Sequence, residues 1–115
     1  MLNGMLVVTR FVRDDAENDG FVQQAHTALA ALAACPGYLR GRLARALDEP
    51  THWTIVTEWQ SVGAYRRALS SFDVKVHATP LLATALDVPG GFEALVDVAP
   101  DGSASTRPSD RTDRA

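Results

Sequence analysis

Two different hydrophobic periods run along this chain, and the switches between them mark out its elements. Residues 5–13, MLVVTRFVR, are rich in β-branched side chains and read as a strand. Its two faces are Met5, Val7, Thr9, Phe11 and Leu6, Val8, Arg10, Val12. Both are largely apolar, which predicts a central strand covered on both sides. The polar run DDAENDG follows, with Asp14 and Glu17 at capping-box spacing and Asp19 as a second cap candidate. From there to Ala34 the apolar positions Phe21, Val22, Ala25, Leu29, Leu32 and Ala33 recur at helical spacing. CPG ends that helix, because Pro36 cannot continue it and Gly37 suits the turn beyond.

Residues 38–47, YLRGRLARAL, alternate loosely and predict a second strand carrying Arg40, Arg42 and Arg45. Asp48, Glu49 and Pro50 suit a short hairpin turn. THWTIVTEWQ alternates cleanly, with Trp53, Ile55, Thr57 and Trp59 on one face. Ser61 then caps a second helix with apolar positions at Tyr65, Ala68, Leu69, Phe72 and Val76, which SSFD can interrupt and restart. LLATAL, residues 81–86, reads as another helical turn or two, and FEALVDVA as the fourth strand. From Pro100 onward no apolar residue is larger than Ala, so residues 100–115 are expected to be a disordered tail after a domain spanning 1–99.

The order β-α-β-β-α-β predicts an α+β, ferredoxin-like fold. Right-handed crossovers place both helices on one face of an antiparallel sheet and leave the other bare. An apolar bare face predicts a homodimer with the two sheets packed together.

Composition narrows the function. The chain has 115 residues, one domain's worth, and a net charge of −3 with scattered basic residues. No basic patch points to nucleic acid. The single Cys35 excludes an internal disulfide, and its place at the end of an apolar helix suggests a buried, inert thiol. The start MLNGMLVV lacks the basic region of a signal peptide, and no apolar run approaches a membrane span. The expected location is cytoplasmic, with no membrane partner. Phosphate loops, zinc spacings and a Ser-His-Asp pattern are not recognisable, which leaves a pocket between helices and sheet as the main candidate.

One stretch is more specific. A strand ending in Trp59, then W-x-S-x-x-A-Y opening the second helix, with PGY after the first helix, resembles the antibiotic biosynthesis monooxygenase family over residues 5–98. The resemblance implies a dimeric α+β barrel of ferredoxin-like subunits. It also implies oxidation of a small aromatic or polyketide-like molecule with O2, without flavin, haem or metal. Quinone-forming members let an ionised phenol or anthrone reduce O2, giving a hydroperoxide that collapses to the quinone. Their strand-end Trp and helix Tyr match Trp59 and Tyr65. Ile55 stands where they carry an Asn, and residues 78–86 contain no counterpart of their Arg. A second branch of the superfamily binds and degrades haem, and resembles this chain at His77. Thr9 and Ala68 stand where that branch has an Asn and a Trp.

The candidate catalytic residues are therefore Trp59, Tyr65, Arg10 and His77. Trp59 shares its face with Trp53 and Ile55, so core packing is the competing reading. Tyr65 heads the inward stripe of its helix, and a buried hydroxyl needs a partner. Arg10, between Val8 and Val12, is expected to be buried and paired, either to a substrate anion or to Glu58. His77 would border the core of a continuous helix, as a base, a ligand or a boundary residue. Arg40 and Arg42 read as solvated edge residues. His26 and His52 carry no expectation. A third possibility is a non-catalytic dimer that holds a hydrophobic ligand.

Overall fold

The computed structural model describes residues 4–109. Strands β1 (Met5–Val12), β2 (Tyr38–Arg45), β3 (His52–Trp59) and β4 (Gly91–Glu93) form one antiparallel sheet in the order β2-β3-β1-β4. Helix α1 (Asn18–Ala33) links β1 to β2. Helices α2 (Val62–Leu69), α3 (Phe72–His77) and α4 (Thr79–Leu82) link β3 to β4. This is the α+β ferredoxin-like architecture that the element order predicts, with β1 inside the sheet.

β1 runs against β3 without a slip, from Met5 opposite Trp59 to Val12 opposite His52. Alternate side chains of a strand share a face. That register gathers Met5, Val7 and Phe11 with Trp53, Ile55, Thr57 and Trp59, all buried. Phe21, Ala25, Ala28 and Leu32 of α1 close over them, as do Ala64, Ala68, Val74, Ala78 and Leu81 from the second crossover. The many alanines let the helices approach the aromatic face closely. On the other face Leu6, Val8 and Val56 are half-buried, while Arg10, Arg40 and Arg42 are exposed. Within this chain β1 is thus covered on one side only.

The second crossover is broken, and the break has consequences. Ser61 accepts from the Ala64 amide at 3.0 Å to cap α2, and Ser71 accepts from the Val74 amide at 3.4 Å to cap α3. The new start resets the helical phase. Val74 enters the core, whereas Phe72 (78% exposed) and Val76 turn outward from positions that a continuous helix would bury.

The C-terminal part also differs from expectation. FEALVDVA is not one strand: after Glu93 the chain leaves the sheet. Strand β5 (Val96–Val98) then pairs with β6 (Ala104–Thr106) around a turn containing Gly102. Arg107 ties the far side of this hairpin to Glu93 of β4 at 3.6 Å. A boundary at residue 99 would cut the hairpin in two, and residues 100–109 are structured where a disordered tail is expected. Backbone pairing orders them without apolar burial. The last six residues of that expected tail lie outside the described residues.

Gly37 joins the two crossovers. Its φ of +91° is a left-handed conformation that a side chain disfavours, and Ala64 of α2 occupies the space a Cβ would need. Its carbonyl accepts from the Gln60 amide at 2.8 Å, which docks the end of α1 on the β3–α2 junction. Gly37→Ala is therefore expected to cost about 1–3 kcal/mol. Urea denaturation reads this as a lowered midpoint; an unchanged midpoint would show that the turn relaxes freely.

Candidate functional site

Two groups of side chains on the helical side of the sheet carry chemistry. The first is aromatic. Trp59 is fully buried, edge-on to Tyr38 at 5.4 Å between ring centres and tilted against Tyr65 at 5.5 Å. Its indole N–H donates to the Thr57 hydroxyl at 2.9 Å, two residues back on the same face. Thr57 is the buried polar residue that makes a buried Trp affordable at this position. The Ser61 cap starts α2 so that Tyr65, one turn in, lies over the Trp59 ring. Tyr65 is half-buried, and its hydroxyl has no hydrogen-bond partner among the described residues. Burial pushes the phenols of Tyr65 and Tyr38 above the ordinary value of 10.0, so both stay neutral donors at physiological pH.

The second group lines a groove between α1 and the α3–α4 segment, with a cavity of about 380 Å³. Arg13, Gln23, Gln24, Thr27, His77 and Thr84 contribute its polar wall, and Val76, Pro80 and Leu81 its apolar one. A second groove follows α1 onward past His26 and Ala34 and shares Gln23, Thr27 and His77. Arg13 lies just past β1 on the Phe11 side. Its guanidinium sits 4.9 Å from the Phe21 ring centre and 5.5 Å from that of Phe11. It donates to the Val12 carbonyl at 2.9 Å and to the Thr84 hydroxyl at 2.6 Å.

The four sequence candidates do not converge. Trp59 and Tyr65 are in ring contact. Arg10 is exposed, which corrects the expectation of a buried guanidinium: its face of β1 is the one turned away from the helices. Glu58 does not stand opposite it; Leu6 faces Glu58, and Arg10 faces Thr54. His77 is exposed at the end of α3, because the break at Ser70–Ser71 rotates it off the core border. Six strand residues separate the Trp59 end of β3 from the Trp53 end, roughly 20 Å at ~3.4 Å per residue. Arg13 is at the Trp53 end. It is the functional candidate that sequence reasoning missed, though the signal was present: extending Met5, Val7, Thr9, Phe11 by two positions reaches Arg13. Cys35 is half-buried, with its thiol 3.6 Å from the Ala31 carbonyl, and stays a packing residue.

A family model for antibiotic biosynthesis monooxygenases matches residues 5–79. The chain belongs to the antibiotic biosynthesis monooxygenase family. Solved structures agree. SnoaB, a cofactor-independent oxygenase from Streptomyces nogalater, is 29% identical, with a TM-score of 0.68 over 80% of this chain and 93% of that one. A conserved protein from Methanosarcina mazei, 20% identical, has a TM-score of 0.64 over 76% of this chain and 85% of that one. A candidate antibiotic biosynthesis monooxygenase from Nitrosomonas europaea shares the fold at 8% identity, with a TM-score of 0.65 over 82% and 90% of the two chains. No curated protein matches the sequence significantly.

Within this monooxygenase family scaffold, Ile55 is buried in the core, so the strand position where the resemblance implies an Asn is apolar. Arg13 reaches the 78–86 segment through Thr84, from β1 rather than from within the segment. Haem fits poorly. Beside exposed His77, Ala68 is a buried small residue and Thr9 lies on β1 without a polar companion at Ile55. No group of metal-ligating side chains occurs among the described residues, and none of their helices is long and apolar enough to cross a membrane.

Tyr38 and Tyr65 are the chain's two tyrosines. Both folded-state values lie above the unfolded one, so their contribution to stability is complete below pH 10.0 and is lost as pH climbs through the folded values. Near-ultraviolet titration of the native protein should show a phenolate midpoint above pH 10.0 that returns to the ordinary value in denaturant. A native midpoint at or below the ordinary value would mean that solvent reaches both rings.

Proposed function

We propose that the protein is a cofactor-independent monooxygenase acting on a small aromatic molecule, phenol- or anthrone-like, with O2. The observation that carries this reading is exposed His77 lining a groove of about 380 Å³ that combines hydrogen-bonding side chains and the Arg13 guanidinium with apolar ones. That size suits a small ligand, at the low end of the roughly 300–1,000 Å³ typical of such pockets. The 29% identity to a cofactor-independent oxygenase over most of both chains supports the chemistry.

The His77 imidazole would act as the base that takes the acidic proton of a phenol or anthrone. The resulting anion is electron-rich enough to pass one electron to O2. Recombination of the radical pair forms a C–O bond and a hydroperoxide, which loses water to leave the carbonyl. For an anthrone the balance is one CH2 and one O2 in, one C=O and one H2O out. Gln23, Gln24 and Thr27 would hold the substrate's oxygens. Trp59, fully buried, serves by fixing Tyr65, whose neutral phenol remains a free donor. Arg10 faces away from this seat and takes no part in it.

A panel of hydroxy-anthrones and naphthols should give O2-dependent quinone formation, with His77→Ala lowering kcat by about a hundredfold or more. No O2 uptake with any of them would sink the oxidation.

The same reading includes a homodimer. Half-buried Leu6, Val8 and Val56, flanked by exposed Val12 and Phe92, form an apolar strip on the sheet face that the helices leave bare. Sedimentation equilibrium should give twice the mass of the 12.4 kDa chain, and Val8→Glu should halve it. A wild-type monomer at tens of micromolar would rule the dimer out.

A further inference from the structure

We infer that the groove between α1 and the α3–α4 segment is a carboxylate site built around Arg13, and that its ligand is an aromatic acid. As a statement about substrate this rests on the proposed oxidation; as a statement about binding it does not.

The argument starts from two arginines on one aromatic cluster. Phe11, Phe21 and Trp53 are in mutual contact through Phe21, at 5.2 and 5.4 Å. Arg45 stacks 4.8 Å from the Trp53 ring centre, and Arg13 stacks on Phe21 and Phe11. Arg45 is matched to an acid, with Asp15 3.3 Å away, and its Nε donates to the Pro50 carbonyl at 2.6 Å. Arg13 is half-buried and has no carboxylate within ion-pair distance among the described residues. Its recorded acceptors are one carbonyl and one hydroxyl, both neutral.

A guanidinium has five N–H donors, so most of its fork remains uncommitted. Two rings and two hydrogen bonds hold it in place before any ligand arrives, which removes much of the ordering cost of binding. None of the residues lining its cavity is acidic; Asp73 lines the adjoining groove instead. The missing partner is therefore an anion from outside, and a planar fork matches a planar carboxylate in bidentate geometry. The apolar wall of Val76, Pro80 and Leu81 gives the remainder of the ligand an apolar surface, which an aromatic ring suits.

The test is anaerobic calorimetric titration of 1-hydroxy-2-naphthoate and of 1-naphthol, so that binding is read without turnover. The acid should bind more tightly than the neutral naphthol by roughly tenfold to a hundredfold. Arg13→Gln should erase that preference while leaving naphthol affinity nearly unchanged, which also shows that the variant is folded. Arg13→Lys, keeping the charge without the fork, should retain only part of it. Equal affinities for the two ligands, no saturable binding of either, or an undiminished preference in Arg13→Gln would each overturn the site. The oxidation has a separate fate: selective binding of the acid without O2 consumption defeats the enzyme and leaves the site. Turnover of neutral naphthols with no preference for acids does the reverse.

Discussion

The slip-free antiparallel register of β1 on β3 is the constraint from which the rest of this molecule follows. With Met5 opposite Trp59 and Phe11 opposite Trp53, every second residue of both strands is committed to the helical side. A shift of one position would exchange the two faces and send both indoles to the open side. The same parity sorts the arginines. Arg10 goes outward with Leu6 and Val8, and Arg13 goes inward behind Phe11. The chemical character of the helical side is thus fixed by backbone pairing before any side chain in the groove is considered.

At the other end of the sheet the same register demands that a Trp be buried completely. An indole N–H without a partner there would cost about 1–3 kcal/mol, and Thr57 on the same face removes that cost. Gly37, Gln60 and Ser61 then fix where α2 begins, and so where Tyr65 lies against the indole. Trp59 and Tyr65 are a positioned pair, not an open pocket wall. The groove that can receive a ligand belongs to α1 and the α3–α4 segment instead.

Most of the frame was legible because its signals are local. β-branched content marked β1, alternation marked β3, CPG marked the end of α1, and Ser61 marked the start of α2. The site was less legible, for a physical reason. Alternation divides a strand into two faces but does not say which one the helices cover when both are apolar, so it cannot choose between Arg10 and Arg13. His77 was misplaced by phase: two adjacent serines reset the helix, and a stripe extrapolated across them points the wrong way. The β5–β6 hairpin was invisible to composition, because backbone pairing from Val96 opposite Thr106 to Val98 opposite Ala104 holds it rather than apolar burial.

The two ends of the helical side differ in how their polar groups are satisfied. The Trp59 end satisfies its buried indole N–H internally, through the Thr57 hydroxyl. The Arg13 end keeps a cation whose partial desolvation is offset only by ring faces and neutral oxygens. Arg45, stacked on Trp53 of the same aromatic cluster, shows that a nearby Asp can supply the counter-charge when only stability is required. A chain with a net charge of −3 has acids to spare, yet none lines this groove. An unmatched, preorganised cation lining the groove raises the local affinity for anions and favours the ionised form of an acidic ligand bound there. Those are the two conditions that an oxidation driven by the substrate's own electrons requires of the protein, and both follow from the residue that the β1 register turns inward.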